Sequence, residues 1–157
     1  MRVLVISDSH GNISNLEKID IESFDLLIHC GDFVSDVKMI SDKYKIDIEY
    51  VKGNCDYNSD DDEERILELL GHKILITHGH KYGVKYSISK LYYRALELEV
   101  DLAIFGHTHL PFDESYDGIR FINPGSISLG RGSYKSTCFI MEISEKIVGY
   151  MQHIKNK

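Results

Sequence analysis

Five short apolar runs punctuate the chain, and each leads at once into a cluster of glycine, aspartate, asparagine or histidine. Val3-Leu4-Val5-Ile6 precedes Asp8-Ser9-His10, and Leu26-Leu27-Ile28 precedes Gly31-Asp32. Ile48-Glu49-Tyr50-Val51 leads to Gly53-Asn54-Cys55-Asp56, and Ile74-Leu75-Ile76 to Thr77-His78-Gly79-His80. Leu102-Ala103-Ile104-Phe105 leads to Gly106-His107-Thr108-His109. Short β-branched runs bounded by turn formers read as buried strands. Ligands of open α/β sheets bind beyond the carboxyl ends of the strands, so the five clusters are expected to converge on one rim.

Helix-like segments separate the runs: Ile13 to Ile19, Val34 to Lys43, Asp62 to Leu70 and Ser87 to Glu99. In the last, Ile88, Leu91, Tyr92, Ala95 and Leu98 recur at helical spacing. The acidic run Asp60 to Glu64 is placed at the first turn of the third segment, where acids are favourable. As a calcium loop it fails, with Asp61 where glycine is needed and Leu67 where glutamate is needed. The final third changes character. Asp117-Gly118 predicts a hairpin, and further strands are expected at Ser126 to Leu129, Thr137 to Ile143 and Ile147 to Met151. The fold class is therefore α/β, with a second, mostly antiparallel sheet stacked on the first, in a single domain spanning 1–157.

A domain of this size folds without disulfides or a structural metal, and the three cysteines show no C-x-x-C spacing. The net charge of −7 disfavours sequence-independent binding to nucleic acid. The N-terminal apolar run is too short for a signal peptide, and no stretch approaches the ~20 apolar residues of a membrane span. A soluble, cytoplasmic protein is expected.

Carboxylate, amide and imidazole together, without thiolate pairs, suit borderline divalent cations and not a closed zinc clip. In Asp8-x-His10 and His107-x-His109, alternate residues share a face only if the segment is extended. Where the chain turns, each pair can reach two neighbouring ions.

The order D-x-H, G-D, G-N-x-D, H-G-H, G-H-x-H resembles the calcineurin-like metallophosphoesterases. The short length and Asn123-Pro124-Gly125-Ser126 resemble the small YfcE-like phosphodiesterase branch of bacteria and archaea. The resemblance runs from Met1 to about Arg131. It implies a two-sheet β-sandwich flanked by helices, in four αββα layers. It implies one metal at Asp8, His10, Asp32 and His109, with Asp32 bridging to a second held by Asn54, His78 and His107. It also implies hydrolysis of a small phosphodiester by a two-metal-activated hydroxide. Manganese is the first choice of ion, with nickel, cobalt, iron, zinc or magnesium as alternatives. Cys55 stands where many relatives carry histidine; a thiol is a poorer phosphate partner than imidazolium, which weakens the case for a general phosphomonoesterase. The small branch, which resembles this sequence in having Cys there, is associated with phosphodiester hydrolysis.

Other residues carry weaker expectations. His29 reads as a satisfied core or supporting residue, and His72 and His153 as surface. Asn54 and His80 are candidate catalytic residues; Arg131 and Cys55 are candidate substrate contacts, the Arg131 fork being suited to phosphate oxygens. Tyr82, Tyr86, Tyr92 and Tyr93 suit a lid, a subunit contact or helix packing. A homodimer or higher homo-oligomer is the base-rate expectation. The competing functional readings are a phosphomonoesterase and a non-catalytic scaffold of the retromer subunit 29 type, which need not keep every ligand.

Overall fold

A run such as Val3-Leu4-Val5-Ile6, apolar at every position, suits a strand covered on both faces, because alternate side chains point opposite ways. The computed structural model, which describes residues 1–130 and 135–154, uses it in that way. β1 (Arg2–Ile6) sends Val3 and Val5 to one side and Leu4 and Ile6 to the other, all fully buried. Beside it, in parallel, run β2 (Leu26–His29) and then β3 (Ile48–Tyr50). Helix α1 (Ser35–Tyr44) lies between β2 and β3 in sequence, and its Ile40 packs on the outer face of this sheet.

The second sheet holds β4 (Glu64–Leu69), β5 (His72–Thr77), β6 (Leu102–Ile104), β7 (Pro111–Tyr116) and β8 (Ile119–Pro124), in the order β4-β5-β6-β8-β7. Helix α2 (Ser89–Leu98) covers its outer face through Leu91 and Ala95. The chain then returns to the first sheet with β9 (Thr137–Ile143) and β10 (Ile147–His153), giving the order β10-β9-β1-β2-β3. The inner faces meet in a seam that includes Val3, Val5, Ile28, Ile74, Ile76, Ile104 and Phe139. The four layers are thus helix, sheet, sheet and helix. No helix among the described residues is long and apolar enough to cross a membrane.

Four expectations are corrected. Residues 62–70 are not a helix: β4 pairs antiparallel with β5 through a two-residue turn, Leu70-Gly71, with both φ angles positive. Leu67 and Leu69 reach the seam while Glu68 between them is exposed, a two-residue period that overrides the helical composition. The acidic run therefore precedes a strand and caps nothing. The second sheet is mixed, with β5, β6 and β8 parallel, and the last two strands belong to the first sheet. Residues 126–129 form no strand, because the Ser126 hydroxyl accepts from the Ser128 and Leu129 amides and displaces ladder bonding. Finally, 13–19 is only a short 3-10 segment, Ser14–Lys18, entered where the Asn12 side chain accepts from the Ser14 amide.

Ile104 is fully buried in the seam, so Ile104→Ala is expected to cost about 2–5 kcal/mol in urea unfolding. Ile66→Ala, on the half-exposed outer side of β4, should cost under about 1 kcal/mol.

Candidate metal centre

The five clusters do converge, but on the shared rim of two sheets and not on one. Asp8 and His10 follow β1, Asp32 follows β2 and Asn54 follows β3; His78 follows β5, and His107 and His109 follow β6. Leaving a strand and turning a side chain back over the rim demands unusual backbone. Asp8, His10, Asp32, His107 and His109 all have φ between 48° and 68°. For L-residues this left-handed region is unfavourable, and it persists where surrounding contacts over-determine it.

Those contacts are specific. Asp8 Oδ2 accepts from the Ser7 hydroxyl at 2.7 Å and from the His107 amide at 3.0 Å, tying the two sheets together. Its carbonyl accepts from Ser126 Oγ at 2.8 Å. Asp56 clamps the next turn, its Oδ1 accepting from the Phe33 and Val34 amides and its Oδ2 from the Gly53 amide. Asn123 Nδ2 donates to the Gly106 carbonyl and to Thr108 Oγ1, fixing the turn after β6. Two glycines permit the close approach: a Cβ on Gly106 would lie 2.0 Å from Ser7 Oγ, and one on Gly53 would lie 2.1 Å from Asp32 Oδ1.

Two donor groups result. In one, Asp8, His10 and His109 offer atoms within 4.8 Å of one another, and in the other Asp32, His78 and His107 do the same. Asn54 joins the second, its Oδ1 3.2 Å from His78 Nε2. Asp32 faces both: Oδ1 is 3.3 Å from His78 Nε2, and Oδ2 is 3.8 Å from His10 Nε2. The Asp8-x-His10 pair serves one group, whereas the turn at 107–109 splits its two histidines between them.

Tautomers are set from outside. His78 Nδ1 donates to the Cys30 carbonyl at 2.7 Å, and His109 Nδ1 to the Leu129 carbonyl at 3.1 Å. Each neutral ring therefore presents its Nε2 lone pair to the interior. There the ring nitrogens crowd together: His10 Nε2 lies 3.1 Å from His109 Nε2, and His78 Nε2 lies 3.2 Å from His107 Nδ1. Asp8 Oδ1 is buried without a hydrogen bond, although His109 Nε2 is only 3.1 Å away. Lone pairs crowded together around an unsatisfied carboxylate oxygen fit cations, and the mixed oxygen and nitrogen donors suit borderline divalent ions.

Electrostatics agree. Burial works to raise the Asp8 and Asp32 carboxyls, but the neighbouring His109 and His78 outweigh it and hold both below their usual values. His78 is opposed by burial yet raised by its carboxylate partners. His107 is pushed down to about 4, by burial first and then by the charges of His78 and Lys85.

The remaining candidates fall around this centre. Cys55 offers its sulfur within 4.8 Å of donor atoms of His10 and Asp32, and its amide donates to Asp32 Oδ1. The His80 ring lies tilted against His78, centroids 5.5 Å apart, with its buried Nδ1 unpaired. Arg131 lies outside the described residues. His29 supports: Nδ1 accepts from the Gly31 amide, so Nε2 donates to Ser9 Oγ, which donates to Asp36 Oδ2. Sequence reasoning missed the parts of Asp36, Asp56 and Asn123. Asp56 carried a signal as the last member of the third cluster, and Asn123 as the first residue of Asn123-Pro124-Gly125-Ser126, whereas Asp36 carried none.

Comparison with known proteins accords with this geometry. The model of the calcineurin-like phosphoesterase superfamily domain matches residues 1–146. A probable metallophosphoesterase, YsnB of Bacillus subtilis, is 42% identical over 83% of this chain and 78% of its own. A phosphodiesterase of Methanocaldococcus jannaschii is 32% identical over 80% of this chain and 83% of its own. Among solved structures, a predicted phosphoesterase from Streptococcus pneumoniae superposes with a TM-score of 0.83 at 31% identity, covering 97% of this chain and 88% of its own. Zinc-complexed Vps29 from Entamoeba histolytica superposes at 0.78 with 21% identity, covering 99% and 100%. The chain belongs to the calcineurin-like phosphoesterase superfamily.

Two outcomes are expected. Gly106→Ala, which forces Ser7 and Asp8 aside, should weaken manganese binding by about tenfold or more in calorimetric titration. His29 is fully buried, and burial pushes it down to about 4 from its ordinary 6.5. The unfolded chain then binds the extra proton between these values, so this contribution is present above about 6.5 and is lost as pH falls toward about 4. Chelator-treated protein should lose about 2 kcal/mol more than His29→Gln between pH 7 and pH 5 in urea unfolding.

Proposed function

We propose that this protein hydrolyses small phosphodiesters with two divalent metal ions, manganese by preference, held at the shared rim. The observation carrying the reading is Asp32, whose two oxygens face different donor groups, one toward His78 and one toward His10. Asp8, His10 and His109 would hold one ion; Asn54, His78 and His107 the other; Asp32 would bridge. When bound, such a pair supplies Lewis acidity and lowers the pKa of a coordinated water toward neutrality.

The chain's own residues set up the rest. Carbonyl-anchored His78 and His109 keep their lone pairs aimed without reorganising, as preorganised catalysis requires. The Asn54 amide stands at the second group, where it is placed to hold a phosphoryl oxygen. His80 is kept low, by burial first and then by His78, so it is neutral near pH 7 and free to form a hydrogen bond with substrate. Cys55 is pushed up to about 11, chiefly by burial and then by Asp32, so it remains a neutral thiol. A neutral group there suits the single negative charge of a diester better than the double charge of a monoester. The relative named a phosphodiesterase supports the same class.

A non-catalytic scaffold is the competing reading, since Vps29 shares the fold. The full donor set favours hydrolysis. Chelator-stripped protein given manganese, nickel, cobalt, zinc or magnesium should cleave bis-p-nitrophenyl phosphate in preference to p-nitrophenyl phosphate. Asp32→Ala should lower that rate beyond the ~10–100-fold typical of outer-shell ligand partners. A near-normal Asp32→Ala rate would sink the two-metal scheme, and folded wild-type protein inert with every metal would favour the scaffold.

A further inference from the structure

Beside the metal rim the molecule carries a groove of about 600 Å³, lined in part by Lys85, Tyr86, Phe105, Thr108, Leu110 and Phe112. The fold builds it at the end of the second sheet, between the segment leading into α2 and the start of β7. Thr108 belongs to both places, since it sits between His107 and His109 and also lines the groove. Its hydroxyl accepts from the Leu110 amide and from Asn123 Nδ2, so this wall is held by the same contacts that set the metal turn.

The groove is far larger than a phosphoryl group needs and falls within the ~300–1,000 Å³ of small-molecule sites. Its walls are aromatic and aliphatic, and two of them face water: Leu110 is 42% exposed and Tyr86 is 96% exposed. Helix packing accounts for Tyr82 and Tyr92, which lie against the α2-side core, but it leaves Tyr86 without a role. Lys85 adds a cation, and no carboxylate among the described residues pairs with it, in a chain whose net charge is −7.

We propose that this groove binds the organic half of the phosphodiester, a flat aromatic group of nucleoside size, while the phosphoryl group lies on the metal rim. Tyr86 and Leu110 cover the ring, and Lys85 draws the anionic ester to the groove mouth. The proposal rests on the phosphodiesterase reading above and names the substrate class for that same site. An apolar group so placed lowers KM through contacts that a bare phosphate ester cannot make.

The test separates binding from turnover. Manganese-loaded protein is titrated calorimetrically with adenosine 5′-monophosphate and with methyl phosphate. The nucleotide should bind at least tenfold more tightly. Tyr86→Ala and Leu110→Asp, both at exposed positions and so compatible with folding, should each remove most of that difference, and Lys85→Ala should weaken both ligands while leaving most of the difference between them. Equal affinities, or a difference that the groove variants leave intact, would overturn the inference. Turnover of methyl p-nitrophenyl phosphate, measured in parallel, reports on the hydrolytic reading alone. A preference for the nucleotide without turnover would uphold the groove and discard the hydrolysis. Turnover without the preference would do the reverse. Concentration-dependent self-association abolished by Leu110→Asp, with no nucleotide preference, would assign the groove to a second copy of the chain and likewise overturn the proposal.

Discussion

Side chains from β1, β2, β5, β6, β8 and β9 fill a single seam between the two sheets, and that burial decides where every polar turn can lie. Each fully buried Val, Leu or Ile contributes roughly 1.5–3 kcal/mol, so the relative placement of the sheets is strongly held. With the seam closed, the strand ends bearing Asp8, Asp32 and Asn54 abut those bearing His78 and His107. The hydrogen bond from the His107 amide to Asp8 Oδ2 crosses from one sheet to the other. Neither sheet owns the candidate metal centre.

The site runs against the preferences that build the strands beneath it. Five of its residues hold left-handed backbone, imidazole nitrogens crowd one another, and an aspartate oxygen is buried without a hydrogen bond. Each such feature costs of order 1–3 kcal/mol. Supporting residues offset the cost locally: Ser7, Ser126, Asp56 and Asn123 all spend their hydrogen bonds on the turns that carry the ligands. Divalent cations would relieve the crowding of lone pairs, so binding and stability are coupled.

Much of this was legible in the sequence because two signals coincided, an apolar run and a polar cluster at its end. The seven donors stood out for that reason, and the structure brings all seven to one rim. The β4–β5 hairpin was not legible. Ile66, Leu67 and Leu70 match helical spacing, glutamate and leucine favour helix, and only pairing with β5 decides otherwise. Nor could local pattern assign β9 and β10 to the first sheet, since β10 pairs only with its neighbour β9 and the partner of β9, β1, lies more than a hundred residues back. Asp36 falls in the first turn of α1, where an acid is ordinary. Its burial and its bonds to Ser9 and Gly11 appear only when the loop after β1 is folded over it.

The position of β1 has a consequence for how the molecule comes into being. It lies ahead of the other strands in the chain, yet it is flanked by β2 on one side and by β9 on the other, with Val3 opposite Met141. The Asp8 carbonyl likewise waits for Ser126, 118 positions later. A nascent chain can pair β1 with β2 early, but the opposite edge stays bare until nearly all the remaining strands exist. Closure of that edge is a long-loop event, slow by the usual dependence of rate on sequence separation. The first donor group therefore matures late in folding, and a chain interrupted before β9 would carry all seven candidate ligands without the scaffold that aims them.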